Sequence, residues 1–222
     1  MQDFLILQLS GPMQSWGLPT FEGIRPSAPF PGRGGLLGLL GACLGIKRND
    51  RTSLQKLSAG TRFAVRCDNR TSYHPVNISD FHTVKDAREK PGSLKMNDTI
   101  ITRREYLYDA SFTVAVWTAG LPEQCYTLSE LIDAVQRPCY TPYLGRRCCP
   151  LSRPLFNSVQ QAKNPVAALA AGVPGDGVIY SEEPLTGNER CLSVRDDPII
   201  DLPRQFARRS WFVIQGDKNV PE

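Results

Sequence analysis

Acid–base chemistry near neutral pH calls first for imidazoles, and this 222-residue chain has two, His74 and His82. With Tyr73 and Lys85 they form a set able in principle to cleave RNA without a metal. Neither histidine stands in a G-x-S-x-G or H-E-x-x-H context, and a solvated polar arm accounts for them equally well. The carboxylate pairs Glu182-Glu183 and Asp196-Asp197 are adjacent in sequence, so on a strand they diverge and read as surface. Cysteines at 43, 67, 125, 139, 148, 149 and 191 include no C-x-x-C pair, which argues against zinc. They read as reduced, mostly buried thiols of a cytoplasmic protein, and no metal or cofactor is expected.

Guanidinium groups are the more promising chemistry. Arg outnumbers Lys heavily, and its planar fork suits phosphates and base edges, although a GC-rich genome produces the same bias. Three placements stand out. Arg33 lies at the start of the apolar run Leu36-Leu37-Gly38-Leu39-Leu40-Gly41, preceded by Pro29, Pro31 and Gly32 and followed by Gly34 and Gly35. This reads as a turn opening into a helix, with Gly38, Gly41 and Gly45 leaving a strip free of side chains. A helical Gly costs about 1 kcal/mol against Ala, so three imply a packing or ligand reason. The helix mouth, with Arg33 beside it, suits a phosphate; a core helix lying tightly on a sheet fits the same pattern. A Walker A loop is excluded because no Lys-Ser or Lys-Thr follows, and a dinucleotide fingerprint fails at Leu37. The second placement is Arg146-Arg147 after Gly145, a phosphate-gripping loop or a solvated turn. Arg103-Arg104 is the third. Trp16, between Ser15 and Gly17, is placed either to stack on a base or to cover the core.

The elements that must carry these residues follow from periodicity. Residues 3–9 are apolar on both faces, as in a central strand, and a long loop from 10 to 30 follows. The glycine helix comes next, then a short helical turn at 53–57 and an alternating strand at 62–67. From about 69 to 103 hydrophobics thin out and the chain reads as an inserted hairpin or arm. Alternation resumes over 103–117, and Thr127-Leu128-Ser129-Glu130 is a capping box opening a helix that Pro138 ends. A strand at 139–144 would complete βαββαβ, the ferredoxin-like order. Beyond Pro150, Asn164-Pro165 opens another helix, and short strands are expected at 177–180, 191–195 and 211–215.

Charge alone proves no partner: 26 basic against 22 acidic residues leave +4. Apolar content of 41% is that of a globular protein able to bury a core, and no apolar run reaches the roughly 20 residues of a membrane span. No membrane association is expected.

Longer motifs carry a resemblance. Residues 11–17 (Gly-Pro-Met-Gln-Ser-Trp-Gly), 19–23 (Pro-Thr-Phe-Glu-Gly) and 35–46 resemble the Cas-five family of CRISPR-associated RAMP proteins, in its type I-E form. Residues 103–107, 109–115, 140–147 and 202–206 extend the likeness, which runs from 4 to about 214 and departs mainly at 70–100 and 160–175. The resemblance implies an α+β protein. Its parts would be a ferredoxin-like (RRM-like) domain at 1–149, a β-hairpin thumb inserted at about 69–103, and a small β-rich domain at 150–222. It further implies a non-catalytic subunit of the type I-E Cascade surveillance complex. Such a subunit holds the 5′ handle of the CRISPR RNA, contacts the backbone subunit CasC and the large subunit CasA, and meets target DNA only through the complex. Type I-C relatives cleave precursor RNA themselves, so a metal-independent endoribonuclease is the alternative. On this footing the expected RNA-binding residues are Gln14, Trp16, Arg25, Arg33, Gly34, Gly38, Arg103, Arg104, Gly145, Arg146 and Arg147.

Overall fold

The computed structural model describes residues 1–18, 20, 23–68, 76–85, 99–119, 125–202 and 205–214. Its centre is β1 (Gln2–Ser10), whose Phe4, Leu5, Ile6, Leu7 and Leu9 are all buried. Because strand side chains alternate, this run feeds two cores at once. Leu5, Leu7 and Leu9 pack on one face with α1 (Arg33–Cys43) and α3 (Leu128–Gln136). Phe4 and Ile6 pack on the other with Ala168 and Leu169 of α4 (Pro165–Gly172).

Seven antiparallel strands form the main sheet in the order β10-β1-β9-β6-β11-β13-β12. They are β6 (Thr61–Cys67), β9 (Ser111–Thr118), β10 (Phe156–Ala162), β11 (Ile179–Ser181), β12 (Arg190–Pro198) and β13 (Phe206–Ile214), with β1 second. Helix α1 and the following α2 (Arg51–Gly60) connect β1 to β6, and α3 connects β9 to β10. A smaller sheet is built on β8 (Thr99–Tyr108), which pairs antiparallel with β7 (Val76–Lys85) and β2 (Met13–Gln14) and parallel with β4 (Ile24–Arg25). The short strands β3 (Trp16–Gly17) and β5 (Ser27–Ala28) pair with each other.

Local signals were realised where they rest on backbone donors. Thr127 and Glu130 form the reciprocal capping box, and Asn164 accepts from the Ala167 N–H with Pro165 beginning the helix. Two expectations are corrected. Residues 139–144 hold only an isolated bridge, Tyr143 to Pro150, and the strand beside β1 is β10, at 156–162. The alternating run 103–117 is two strands, β8 and β9, because Asp109 turns the chain at φ 50°, a left-handed conformation that Asp tolerates. No helix among the described residues is long and apolar enough to cross a membrane.

Candidate nucleic-acid interface

The chain before α1 is fixed from within. Gln14, fully buried, donates its amide to the carbonyls of Leu9 (3.1 Å) and Ala110 (2.7 Å). Its carbonyl oxygen accepts from the Trp16 indole at 3.0 Å. The indole so oriented lies over Gly35, where a Cβ would stand 2.9 Å from a ring carbon. The Trp16 N–H donates to Ser27 Oγ, and the Ser15 N–H donates to the Leu144 carbonyl. Gly145, at φ 86°, sits against the Ser15 carbonyl so tightly that no side chain fits. Three loops are thereby gathered beside the first turns of α1.

They enclose an open groove of about 1160 Å³. Gly34, Gly35 and Gly38 line it from α1, Trp16 and Phe30 from the preceding loop, and Leu54 from α2. Leu192, Val194 and Phe206 come from the β12–β13 hairpin, and Gly145 from the far loop. Gly38 is exposed, and a Cβ there would meet nothing within 4 Å. Among the described residues its lack of a side chain serves no contact, unlike that of Gly35. Arg48, Arg51 and Arg195 also line the groove and are exposed. Arg51 is 3.7 Å from Asp201 with both side chains about 60% exposed, a pair too solvated to hold it.

Arg33 does not face this groove. It is 3% exposed and all its donors are used within the chain. Nε donates to Asp197 at 2.9 Å, and Nη1 to the Thr61 carbonyl and to Glu182 at 3.0 Å. Nη2 donates to the carbonyl and hydroxyl of Ser58. The α1 N-terminus also has its anion: the Arg33 N–H donates to Asp196 Oδ2 at 2.8 Å. The expected phosphate at this helix mouth is therefore corrected, because a carboxylate of the same chain occupies the place. The acidic pairs read as surface are corrected with it. Glu182 is buried between Arg33 and Arg209, although Glu183 does face out. Burial pushes Glu182 above the ordinary carboxylate range, with the two guanidinium groups opposing it. At Asp196-Asp197 a β-bulge after Arg195 removes the alternation, so both carboxylates reach Arg33. Gln14 is fully buried and supports the loop from within, and Trp16 is 3% exposed, packed on Gly35 with an edge on the groove.

Of the remaining arginines of the expected set, Arg146 packs on Tyr106. Arg146 lies with its guanidinium 4.8 Å from the centre of that ring and donates to the Arg25 carbonyl at 3.1 Å. Arg25 pairs with Arg104 across β4 and β8, and Arg104 with Asp80 across β8 and β7. Arg103 and Arg147 are exposed. Gly34 and Gly38 join Gly145 at the groove. The expected set thus divides into groove-lining glycines, Arg146 on Tyr106 with Arg25 beside it, the β8 arginines Arg103 and Arg104, exposed Arg147, and the buried Gln14, Trp16 and Arg33. Arg48, Arg51 and Arg195 are absent from the expected set. The first two lie in the polar stretch running from α1 into α2 with no motif around them, and only the packing of the β12–β13 hairpin beside α1 brings the third to the groove.

His82 Nε2 is 2.7 Å from Asp80 Oδ2 on the hairpin, while Tyr73 and His74 lie outside the described residues. Among the described residues no three His, Cys, Asp or Glu side chains could hold a metal ion. The cysteines are unpaired by disulfide.

Comparison with known proteins supplies the frame. A family model described as CRISPR-associated protein (Cas_Cas5) matches residues 4–213. The CRISPR system Cascade subunit CasD of Escherichia coli (strain K12) is 54% identical over 228 aligned positions, covering 100% of both chains. A solved chain of a CRISPR RNA-guided surveillance complex is similar with a TM-score of 0.74 and 28% identity, covering 96% of this chain and 90% of that one. A crystal structure of a Cas protein is similar with a TM-score of 0.62 and 26% identity, covering 95% and 92%. The chain belongs to the Cas5 family of CRISPR-associated proteins.

Proposed function

We propose that this chain is a non-catalytic, CRISPR RNA-binding subunit of a type I-E Cascade complex. It holds the 5′ handle of the RNA and joins the CasC backbone to the large subunit CasA. Target DNA is met only through the assembled complex, in the cytoplasm. The observation that carries the reading is the groove over Gly34 and Gly38. Gly34 lets the β12–β13 hairpin close on α1, with the Asp196 carbonyl oxygen and the Phe206 ring 3.0 and 3.2 Å from where its Cβ would stand. Gly38 leaves the next turn of the helix open to an approaching backbone, with Arg48, Arg51 and Arg195 also lining the groove. Single-stranded RNA is held by such combinations of phosphate contacts and close backbone approach. Arg103, Arg104, Arg146 and Arg147 extend the grip towards the β7–β8 hairpin, which serves as the thumb. The order β10-β1-β9-β6, with its helical connections, supports a ferredoxin-like reading of that half of the sheet. On that reading the ferredoxin-like part runs to the end of β10 at Ala162, past the expected division at 149/150, and the accessory β-rich part follows it.

The test is assembly with co-expressed partner subunits and repeat-derived RNA in EDTA, with Arg48→Glu, Arg51→Glu and Arg147→Glu combined. Wild type should retain intact RNA by its handle, and the triple variant should lose it. Neutralising these arginines singly to Gln should lower the salt dependence of binding by about 0.7 in log–log slope per phosphate contact. Retention unchanged by charge reversal would overturn the groove. RNA cut at the repeat would replace the non-catalytic reading with the metal-independent endoribonuclease.

A further inference from the structure

The main sheet ends in two edges that are built differently. Edge strands are normally protected by charges, proline or bulges, because their free N–H and C=O groups invite another strand. β12 has all of these: Arg190, Arg195, Asp196, Asp197 and Pro198, with a bulge after Arg195. β10, Phe-Asn-Ser-Val-Gln-Gln-Ala, has no charge and no proline. Among the described residues it pairs only with β1, which leaves its outer backbone edge free. Val159, at the middle of the strand, is 41% exposed.

A second cleft adjoins the start of this strand. It has a volume of about 520 Å³ and is lined chiefly by carbon, from Val135, Pro138, Pro142, Leu151 and Pro154, with Phe156 of β10 at its edge. Arg153 also lines it, and Arg137 ends α3 next to Pro138. Both arginines are exposed, and neither has an ion pair among the described residues. An unprotected strand edge leading into an apolar, cation-flanked cleft matches the chemistry of strand addition. Main-chain bonds supply affinity there, and a pocket for one side chain supplies selectivity.

We propose that β10 and this cleft are a strand-addition site for an extended segment of a partner protein, bearing a large apolar side chain with a carboxylate beside it. The backbone edge offers N–H and C=O groups at strand spacing, which suits a polypeptide and not a phosphate chain. The carboxylate answers Arg137 and Arg153. This inference rests on reading the chain as an assembly subunit, but it uses a surface separate from the RNA groove.

The experiment places a photocrosslinking phenylalanine analogue at position 159 of the full chain, assembled with co-expressed Cascade subunits and CRISPR RNA. Irradiation should join position 159 to one extended stretch of a partner subunit, located by peptide mass spectrometry, with an apolar residue and a carboxylate nearby. The double variant Val159→Lys and Gln161→Lys, both exposed positions, should lower retention of that subunit at least tenfold. Its melting temperature and RNA content should stay those of wild type. A crosslink to RNA or to a second copy of this chain, or no crosslinked product, overturns the proposal, as does full subunit retention by the double variant. RNA retained without a protein crosslink defeats strand addition and leaves the RNA reading standing. A protein crosslink without RNA does the reverse.

Discussion

The Asp196 carboxylate and the Arg33 backbone N–H, 163 positions apart, meet at 2.8 Å. The same Asp196 oxygen accepts from the buried Trp211 indole at 2.8 Å, so one side chain ties the start of α1 to the β12–β13 hairpin. Both elements line the groove. Asp196→Ala removes a helix-end acceptor and strands a buried indole donor, which should cost about 1–3 kcal/mol. Asp196→Asn, which keeps an acceptor, should cost less. Arg33→Met leaves Glu182 buried beside Arg209 alone, and breaking such a pair costs about 3–5 kcal/mol. Urea midpoints should fall in the order Asp196→Asn, Asp196→Ala, Arg33→Met. The salt slope of RNA binding should not move in any variant that still folds.

Thiol reactivity should divide the cysteines. Burial pushes Cys43 up to about 11, and Cys67 and Cys149 to about 12, whereas Cys139, Cys148 and Cys191 are exposed. The thiolate is the nucleophile, so at pH 8 roughly one in a thousand or fewer of the three raised thiols is reactive. A brief iodoacetamide pulse on the native protein should mark Cys139, Cys148 and Cys191 and spare Cys43, Cys67 and Cys149 until denaturant is added. Cys149 labelling as fast as its neighbour Cys148 would show the Gly145 loop open in solution.

Glu189 organises the turn between β11 and β12. Its carboxylate accepts from the N–H groups of Leu185 (3.0 Å), Thr186 (2.6 Å) and Gly187 (3.0 Å). These bonds, the one from Thr186 foremost, hold it down to about 2. Because the folded value lies below the unfolded one, its contribution is present above about 4.5 and fades as pH falls towards 2. The three amide proton resonances should therefore titrate with a midpoint near 2, and Glu189→Gln should abolish the titration. A midpoint near 4.5 would mean the carboxylate is free.

What could be read from the chain depended on how local the cause was. β1 was legible because burial on both faces writes an unbroken apolar run, and the caps of α3 and α4 because donor and acceptor lie three residues apart. β10 was not, since a polar edge strand shows neither alternation nor an apolar run; its place is given by pairing with β1. The break at Asp109 is a single residue's φ, invisible in a pattern that continues on both sides. Arg33 was misread for a related reason. An arginine at a glycine-rich helix mouth suits a phosphate unless carboxylates arrive from elsewhere, and here they arrive from Glu182, Asp196 and Asp197. The expected strip of Gly38, Gly41 and Gly45 holds only at Gly38, because Gly41 is buried beside Leu54 and Leu57 and Gly45 lies past the end of α1 at φ 75°. Only the fold separates Gly35, which Trp16 requires, from Gly38, which no described residue requires.

That distinction gives the sharpest prediction. At Gly38 a Cβ meets open space, so Gly38→Ala should gain roughly the helix-propensity difference, about 1 kcal/mol, and raise the melting temperature. If an RNA backbone lies along the groove, the added methyl stands in its path. Gly38→Ala should then weaken handle retention while stabilising the protein, and Gly38→Leu should abolish retention without unfolding the chain. Gly35→Ala should instead lose stability, because its Cβ would press on the Trp16 ring at 2.9 Å. Thermal melts paired with RNA-binding titrations in one buffer separate the two. A more stable Gly38→Ala that binds RNA as wild type does would move the RNA off this face of α1.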